Sequence, residues 1–271
     1  MSTVTTTTLS AEMKTFYDMR LIDEASPMLV HEQFGQKRPI PQGGGKTVNF
    51  RRFSPLAKAT TALTEGVTPS GSSLSVSSIS AIVAQYGDYV VQSDVLELTA
   101  VDNTILETTK LLGRQAGLTM DTIVRNALLL GTNKSYAPKY VADTNGNLVE
   151  TEVTKTADLD TSAKLTVDVV QRVVAKLRAQ NAPTIGGDYV CIIHPYVAYD
   201  LMRDPEWIDA HKYATPENLY TGEIGKMAGV RFVQSTEAKI DKGGSDNPSG
   251  LAVFHCLFIG DGAYGVTEVT G

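Results

Sequence analysis

One long helical pattern constrains this chain more than any other feature. Between residues 94 and 131, apolar side chains recur at steps of three, four and seven, the spacing of an amphipathic helix. Such a helix would be about 50 Å long and would end at Gly131. Gly113 and Gly117 lie four residues apart inside it and predict the close approach of a neighbouring element. The stripe expected to face the core comprises Leu98, Val101, Ile105, Leu112, Ala116, Ile123, Ala127 and Leu130.

The segment before this helix predicts an extended β-hairpin. From Thr47, apolar and polar side chains alternate with a period of two, and a second strand-like run covers residues 74–91. The loop between them, residues 58–73, consists mostly of Thr, Gly, Ser and Pro. Because a two-stranded ribbon is marginal in water by itself, we expect this hairpin to lie against another copy of the chain.

The remaining elements predict an α+β fold that carries an N-terminal arm. Residues 1–10 are polar and uncharged, which is typical of a mobile tail, and residues 11–30 contain one short amphipathic helix. A further helix is predicted over residues 166–180, followed by a boundary at residues 181–187. Beyond that boundary three apolar strands mix with short helices, which favours α+β over a doubly wound sheet.

The charge of the chain argues against a nucleic-acid-binding protein. It has 24 basic and 30 acidic side chains, a formal net charge of −6, whereas nucleic-acid binders carry a basic footprint. Residues 1–80 hold eight basic and six acidic side chains, a balance of +2, which leaves −8 for residues 81–271. We interpret this difference as charge complementarity between subunits.

The cysteines and the hydropathy pattern indicate a soluble protein made in a reducing compartment. Cys191 and Cys256 each lie in an apolar run, which is typical of a buried, inert thiol rather than of a disulfide framework. No segment approaches eighteen consecutive apolar residues, and the first thirty residues lack the pattern of a signal peptide. We therefore expect neither a membrane span nor export.

No motif in the sequence specifies a reaction. The GGGKT segment at residues 43–47 resembles part of a phosphate loop, but the glycine required five residues before Gly45 is Ile40, and a strand follows instead of a helix. The four histidines show no metal-ligand spacing, and Cys191 with His194 would supply only two ligands. We predict no catalytic residue, no cofactor and no metal, so the chain is not expected to be an enzyme.

Four segments, taken in order along the chain, carry a resemblance to a known family. They are TTALTEGVTPSG (60–71), AQYGDYVVQSDVLELT (84–99), GEIGKMAGVRFVQS (222–235) and AYGVTEV (263–269). Together they resemble the major capsid proteins of tailed bacteriophages of the podovirus type. The resemblance implies the HK97-like capsid fold, which is built from four parts. These are an N-terminal arm (1–45), an extended hairpin called the E-loop (46–85), a peripheral domain with a spine helix at about 94–131 (86–185), and an axial domain (186–271).

The same resemblance implies a structural protein that self-assembles into the icosahedral shell around a packaged double-stranded DNA genome. Its partners would be further copies of itself in hexamers and pentamers, together with scaffolding, portal and decoration proteins. The DNA would be enclosed without sequence-specific binding, and no membrane would be involved. The protein would assemble in the bacterial cytoplasm and reside in the virion.

The E-loop would then lie across a neighbouring subunit. The candidate inter-subunit contacts are Arg51, Arg52, Lys58, Glu65 and Trp207. The alternative hypothesis is an encapsulin-like compartment subunit, similar in fold but enclosing cargo enzymes. A third hypothesis, an enzyme, would require an activity that is lost when Lys46 is changed.

Overall fold

The computed structural model of the chain describes residues 11–41, 43–91, 93, 104–211, 225–243 and 250–267. Two compact units are present. The main unit is drawn from residues 1–35 and 88–264, and the hairpin unit from residues 36–87 and 265–271. The helices are α1 (Ala11–Ala25), α2 (Thr104–Leu128), α3 (Val167–Ala179), α4 (Pro195–Met202) and α5 (Pro205–His211), with 3₁₀ turns at Ser26–Met28 and Thr156–Asp158.

Strands and helices are mixed along the chain, which confirms the predicted combination of α and β structure. The strands are β1 (Gln36–Lys37), β2 (Thr47–Phe53), β3 (Val76–Ile82), β4 (Lys139–Ala142), β5 (Leu148–Thr151), β6 (Tyr189–Ile193), β7 (Lys226–Met227), β8 (Val230–Gln234), β9 (Ile240–Asp241), β10 (Val253–Phe254), β11 (Leu257–Ile259) and β12 (Gly265–Val266). The main unit has a four-stranded sheet of order β11-β6-β8-β7, in which β6 and β8 are parallel and the other pairs antiparallel.

The core of the main unit lies on both sides of β6. All five residues of this strand are buried, and successive side chains fill two different layers. The odd-numbered side chains face a cluster that includes Val170 and Val174 of α3. The even-numbered side chains face a second cluster with Ile259 of β11. A strand buried on both faces needs a continuous apolar run, and for that reason the sequence predicted it correctly.

The long helix α2 ends earlier than its sequence pattern predicted. It is described over 25 residues, Thr104–Leu128, and residues 94–103 of the predicted helix lie outside the described residues. Its last residue is Leu128 rather than Gly131. The amide of Gly131 donates to the carbonyl of Leu128 at 3.2 Å, so the last turn tightens from α-helical to 3₁₀ hydrogen bonding.

The buried face of α2 is also different from the predicted one. Its fully buried residues are Gly113, Gly117 and Asp121. Three members of the predicted apolar stripe are exposed, namely Ala116, Ala127 and Leu130. The predicted stripe was wrong because α1 packs against the small residues of α2, where its backbone can approach most closely.

The two glycines of α2 confirm the predicted close approach. A Cβ at Gly113 would lie 2.8 Å from the carbonyl oxygen of Leu21, and one at Gly117 would lie 2.6 Å from that of Ala25. Both distances are below van der Waals contact, so no larger residue fits without separating the helices. The ion pair between Arg114 Nε and Glu24 Oε2, at 3.2 Å, lies beside this contact.

Replacing Gly117 with valine should therefore lower the free energy of unfolding by about 1–3 kcal/mol, since the side chain would collide with the α1 backbone. Thermal unfolding followed by circular dichroism measures the effect. The matched control is Ala116→Val, which adds a β-branched side chain at the preceding, exposed position of the same helix. Equal stabilities of the two variants would contradict the close packing of α1 on α2.

The hairpin unit is a ribbon with little core of its own. β2 and β3 pair along their full length, from Thr47 opposite Ile82 to Phe53 opposite Val76. The second strand thus ends at Ile82 and does not continue to residue 91 as the sequence predicted. β1 and β12 pair in parallel in the same unit, and the Phe50 ring packs directly against Gly265, where any Cβ would collide with it.

Candidate assembly surfaces

The hairpin carries most of the candidate contact residues, and all of them are accessible. Every residue from 51 to 80 is exposed, including Arg51, Arg52, Lys58 and Glu65. The loop between the strands, residues 54–75, has no helix or strand and exposes large apolar side chains. These are Leu56, Leu63, Val67 and Leu74. Apolar loop residues without a core to enter are the expected composition of a surface that another molecule covers.

The strand register separates the two neighbouring arginines onto opposite faces of the ribbon. Consecutive strand residues point to opposite sides, so Arg51 and Arg52 cannot contact the same surface. The first face, which we call the Arg51 face, comprises Thr47, Asn49, Arg51, Phe53, Val76, Ser78, Ser80 and Ile82. On the other face Val48 is 8% exposed, and Phe50 is half-buried against Gly265 of the same unit.

Formal charge differs strongly between the two units. The hairpin unit holds six basic and two acidic side chains, a balance of +4, and subtracting this from the total of −6 leaves −10 for the main unit. The charged residues of the hairpin unit are Lys37, Arg38, Lys46, Arg51, Arg52, Lys58, Glu65 and Glu268. The contrast is sharper than the division at residue 80 suggested, because the structural boundary excludes the acidic helix α1.

Trp207 differs from the other contact candidates because it belongs to the core of the main unit. It is 5% exposed, and its ring packs edge-on against Phe232 of β8 with the ring centroids 5.5 Å apart. Among the acidic residues near it in sequence, Asp204 accepts hydrogen bonds from the backbone amides of Val167 and Glu206, at 2.9 and 3.0 Å. Trp207 therefore stabilises α5 on the sheet of its own subunit.

Helix α1 has apolar side chains on two sides, one packed and one exposed. The sequence periodicity did not show which of them would be packed. Tyr17 and Leu21 are half-buried on the side that packs against α2, whereas three apolar side chains point outward. These are Phe16, Met19 and Ile22, which are 58%, 62% and 62% exposed. Asp18 and Asp23 are exposed next to them. We call these five residues the α1 outer face.

A buried polar cluster fixes the segment after α1 to the spine helix. His31 and Asp121 are both fully buried, with Nδ1 of the ring 2.7 Å from Oδ2 of the carboxylate. The other carboxylate oxygen, Oδ1, accepts from the amides of Val30 and His31 at 2.8 and 2.7 Å. Because an ionised carboxylate can only accept, Nδ1 is the donor to Asp121.

The same cluster includes the last residue of the main unit. The Tyr264 hydroxyl donates to the carbonyl oxygen of His31, and burial raises the pKa of Tyr264 to about 12, so the hydroxyl keeps its proton. Burial works to raise the pKa of Asp121 as well. Hydrogen bonds from the His31 ring and from the amides of His31 and Val30 outweigh it and hold that pKa below its ordinary value.

Asp88, the first residue of the main unit's second segment of chain, also contacts α2. It accepts a hydrogen bond from Nε2 of Gln115 at 2.8 Å, which lowers the pKa of its carboxyl group. The sequence held no signal for these contacts, because the partners lie 27 to 233 positions apart.

The chemically reactive side chains have structural partners instead of a common site. Burial raises the pKa of Cys256 to about 12 and that of Cys191 well above its usual range, as expected for inert thiols. His194 caps α4, its Nδ1 accepting from the amide of Tyr196 at 3.2 Å, and His255 contacts Asp241 at 3.1 Å. Among the described residues, no three potential metal ligands come together.

The glycine-rich segment at residues 43–47 forms a turn into a strand. Gly43 and Gly45 have φ angles of 80° and 84°, which glycine adopts without strain, and β2 begins at Thr47. No helix N-terminus follows that could hold a phosphate. As for membranes, the helices within the described ranges do not have the length and apolar character needed to cross a bilayer.

Comparison with known proteins places these features in one family. Residues 76–270 match the family described as phage capsid protein, which is more than half of the chain. No curated protein matches.

Solved structures with a similar fold come from phage capsids. The capsid of cyanophage P-SCSP1u has a TM-score of 0.61 at 16% identity, covering 89% of this chain and 75% of that one. The capsid of Ralstonia phage GP4 has a TM-score of 0.60 at 17% identity, covering 86% and 73%. The cyanophage Pam1 capsid has a TM-score of 0.51 at 14% identity, covering 79% and 69%.

Proposed function

Since this chain belongs to the phage capsid protein family and is a structural protein of the capsid shell, we propose that it closes the shell by laying its hairpin unit across a neighbouring copy. The observation that carries the proposal is the complete exposure of residues 51–80. A two-stranded ribbon with a 22-residue loop gains little stability from its own contacts, so its apolar side chains are best explained by burial between subunits.

The proposed architecture is the HK97-like fold, with four parts. Residues 1–45 would be the N-terminal arm, residues 46–85 the E-loop, residues 86–185 the peripheral domain around α2, and residues 186–271 the axial domain around β6. The long helix, the exposed hairpin and the mixed four-stranded sheet support this assignment. Arg51, Arg52, Lys58 and Glu65 would contact neighbouring subunits.

The proposed assembly is an icosahedral shell of hexamers and pentamers around packaged double-stranded DNA. A net charge of −10 on the main unit supports a wall that encloses DNA without adhering to it, since a basic lining would bind the genome along its phosphates. Scaffolding, portal and decoration proteins would be further partners. Assembly would take place in the host cytoplasm, and no catalytic step is proposed for the chain.

A cargo-enclosing compartment subunit is the less favoured alternative, because the family match and the similar structures named above are phage capsids. Neighbouring genes would discriminate between the two. Portal and terminase genes would accompany a phage capsid, whereas a gene for a peroxidase or a ferritin-like cargo would accompany a compartment.

The direct test is assembly of the purified chain. We expect sedimentation velocity to resolve large particles in addition to subunits, and electron microscopy to show closed shells. Co-expression with the scaffolding protein is the second condition to test. A chain that stays strictly monomeric in both conditions, and also in virion extracts, would contradict the proposal.

A further inference from the structure

We propose that the Arg51 face of the hairpin in one copy packs on the α1 outer face of a second copy. The proposal rests on the proposed function, because it identifies which surface of a neighbouring subunit receives the hairpin. Two observations carry it: each of these faces is apolar and solvent-exposed in the single chain, and the two faces have opposite charge.

All eight residues of the Arg51 face are exposed, whereas Val48 is buried and Phe50 half-buried on the opposite face. The apolar side chains of the Arg51 face, Phe53, Val76 and Ile82, are 58%, 48% and 76% exposed. Arg51 stands between them, opposite Ser78 in the neighbouring strand. A ribbon of two strands is stabilised when a helix or a further layer packs on such a face, so this surface needs a partner outside its unit.

The α1 outer face is the matching feature on the main unit. The opposite side of the helix packs on α2 at Gly113 and Gly117, whereas Phe16, Met19 and Ile22 are exposed to solvent. Asp18 and Asp23 are exposed beside them. Large apolar side chains bordered by charge are typical of an interaction surface.

The two faces agree in size and in charge. A helix of 15 residues is about 22 Å long, and strands of seven residues are about 23 Å long, so α1 could cover the ribbon from end to end. Residues 46–85 have four basic side chains and one acidic, a balance of +3. Residues 11–25 have two basic and four acidic, a balance of −2. Opposite charges favour the encounter and select the orientation.

A second copy of the chain is the occupant that these observations favour. Both faces lie on every copy, and the apolar side chains of each are exposed to solvent there. A contact between two different faces of identical chains is heterologous and can repeat from subunit to subunit, which is what a closed ring or shell requires. An unrelated protein would have to reproduce a complementarity that the chain already contains.

The first test reverses one charge at a time. Arg51→Glu should reduce the yield of shells about tenfold or more. Adding Asp18→Lys and Asp23→Lys to Arg51→Glu should restore assembly, whereas adding them to Arg52→Glu, on the opposite face of the ribbon, should not. Circular dichroism of the subunits confirms that each variant is folded, since all these side chains are exposed.

The second test measures proximity between copies. Two chains are co-assembled, one carrying Met19→Cys and a mass tag, the other Ser78→Cys, each at the middle of its face. Mild oxidation should link one copy of each. Ser77→Cys, which points to the opposite side of the ribbon, is the matched control. Cys191 and Cys256 have raised thiol pKa values, so the unsubstituted chain should give no links.

Each outcome separates this inference from the proposed function. Shells from the unsubstituted chain support the function whatever the variants do. Shells from Arg51→Glu at full yield, equal restoration of Arg51→Glu and Arg52→Glu by the two α1 lysines, or links formed equally by Ser77→Cys would overturn the pairing while leaving the function intact. Links between two tagged Met19→Cys chains would place α1 against α1 and would also overturn it.

Discussion

Replacing Asp121 with alanine should lower the free energy of unfolding of the subunit by about 3–5 kcal/mol, the cost of removing a buried carboxylate that accepts three hydrogen bonds. The variant would leave the His31 ring and the amides of Val30 and His31 without acceptors in a site that water does not reach. Urea unfolding followed by circular dichroism measures the loss. The matched control is Asp261→Ala, at an exposed aspartate, which should change the stability by less than about 0.5 kcal/mol.

The same residue predicts a pH dependence. The folded pKa of Asp121 lies below its ordinary value of about 3.9, so the unfolded state binds the proton at a higher pH than the folded state does. The stabilisation is therefore complete above that ordinary value and is lost as the pH falls through the lower, folded pKa. Between pH 6 and about pH 3, the free energy of unfolding should fall less for Asp121→Asn than for the unsubstituted chain. Parallel losses in the two proteins would contradict this assignment.

Shortening the hairpin loop should abolish shell assembly without unfolding the subunit. We expect a variant with residues 56–73 replaced by Asn-Gly to need at least a tenfold higher concentration to form shells, if it forms them at all. Contacts to neighbouring copies worth about 1.4 kcal/mol suffice for that factor. Because every residue from 51 to 80 is exposed, the melting temperature should stay close to that of the unsubstituted chain.

A second loop variant separates the apolar side chains from loop length. It keeps the 22 residues of the loop but replaces Leu56, Leu63, Val67 and Leu74 with serine. We expect it to lose shells as well, since burial of these side chains between copies is the proposed source of stability. Sedimentation velocity and electron microscopy measure both variants. Normal shells from the shortened chain would contradict the proposed role of the hairpin.

Features that depend on local spacing were predictable. The alternation from Thr47 predicted a hairpin strand, and the continuous apolar run at residues 189–195 predicted a buried strand. Gly113 and Gly117 predicted a close helix contact because their spacing of four places both on one side of a helix. The resemblance to phage capsid proteins was confirmed by the family match.

Features that depend on which partner an element meets were not predictable. The apolar stripe of α2 did not identify its buried face, because α1 packs on the side of α2 that carries Gly113 and Gly117. The sequence around Trp207 is compatible both with a contact to a neighbouring subunit and with burial in its own core. The packing of its ring against Phe232 of β8 shows that it is buried in its own core. The apolar residues of α1 fall on both sides of the helix, so their pattern alone could not show which side packs.

The sequence by itself determined the elements, the charge contrast and the family, because each follows from residue type and local spacing. The tertiary structure alone decided that His31, Asp121 and Tyr264 meet, and that Arg51 faces outward while the opposite side of the ribbon is partly covered. The physical reason is the same in both cases. Burial and strand register are set by contacts between residues far apart in the chain, and a linear pattern does not record those contacts.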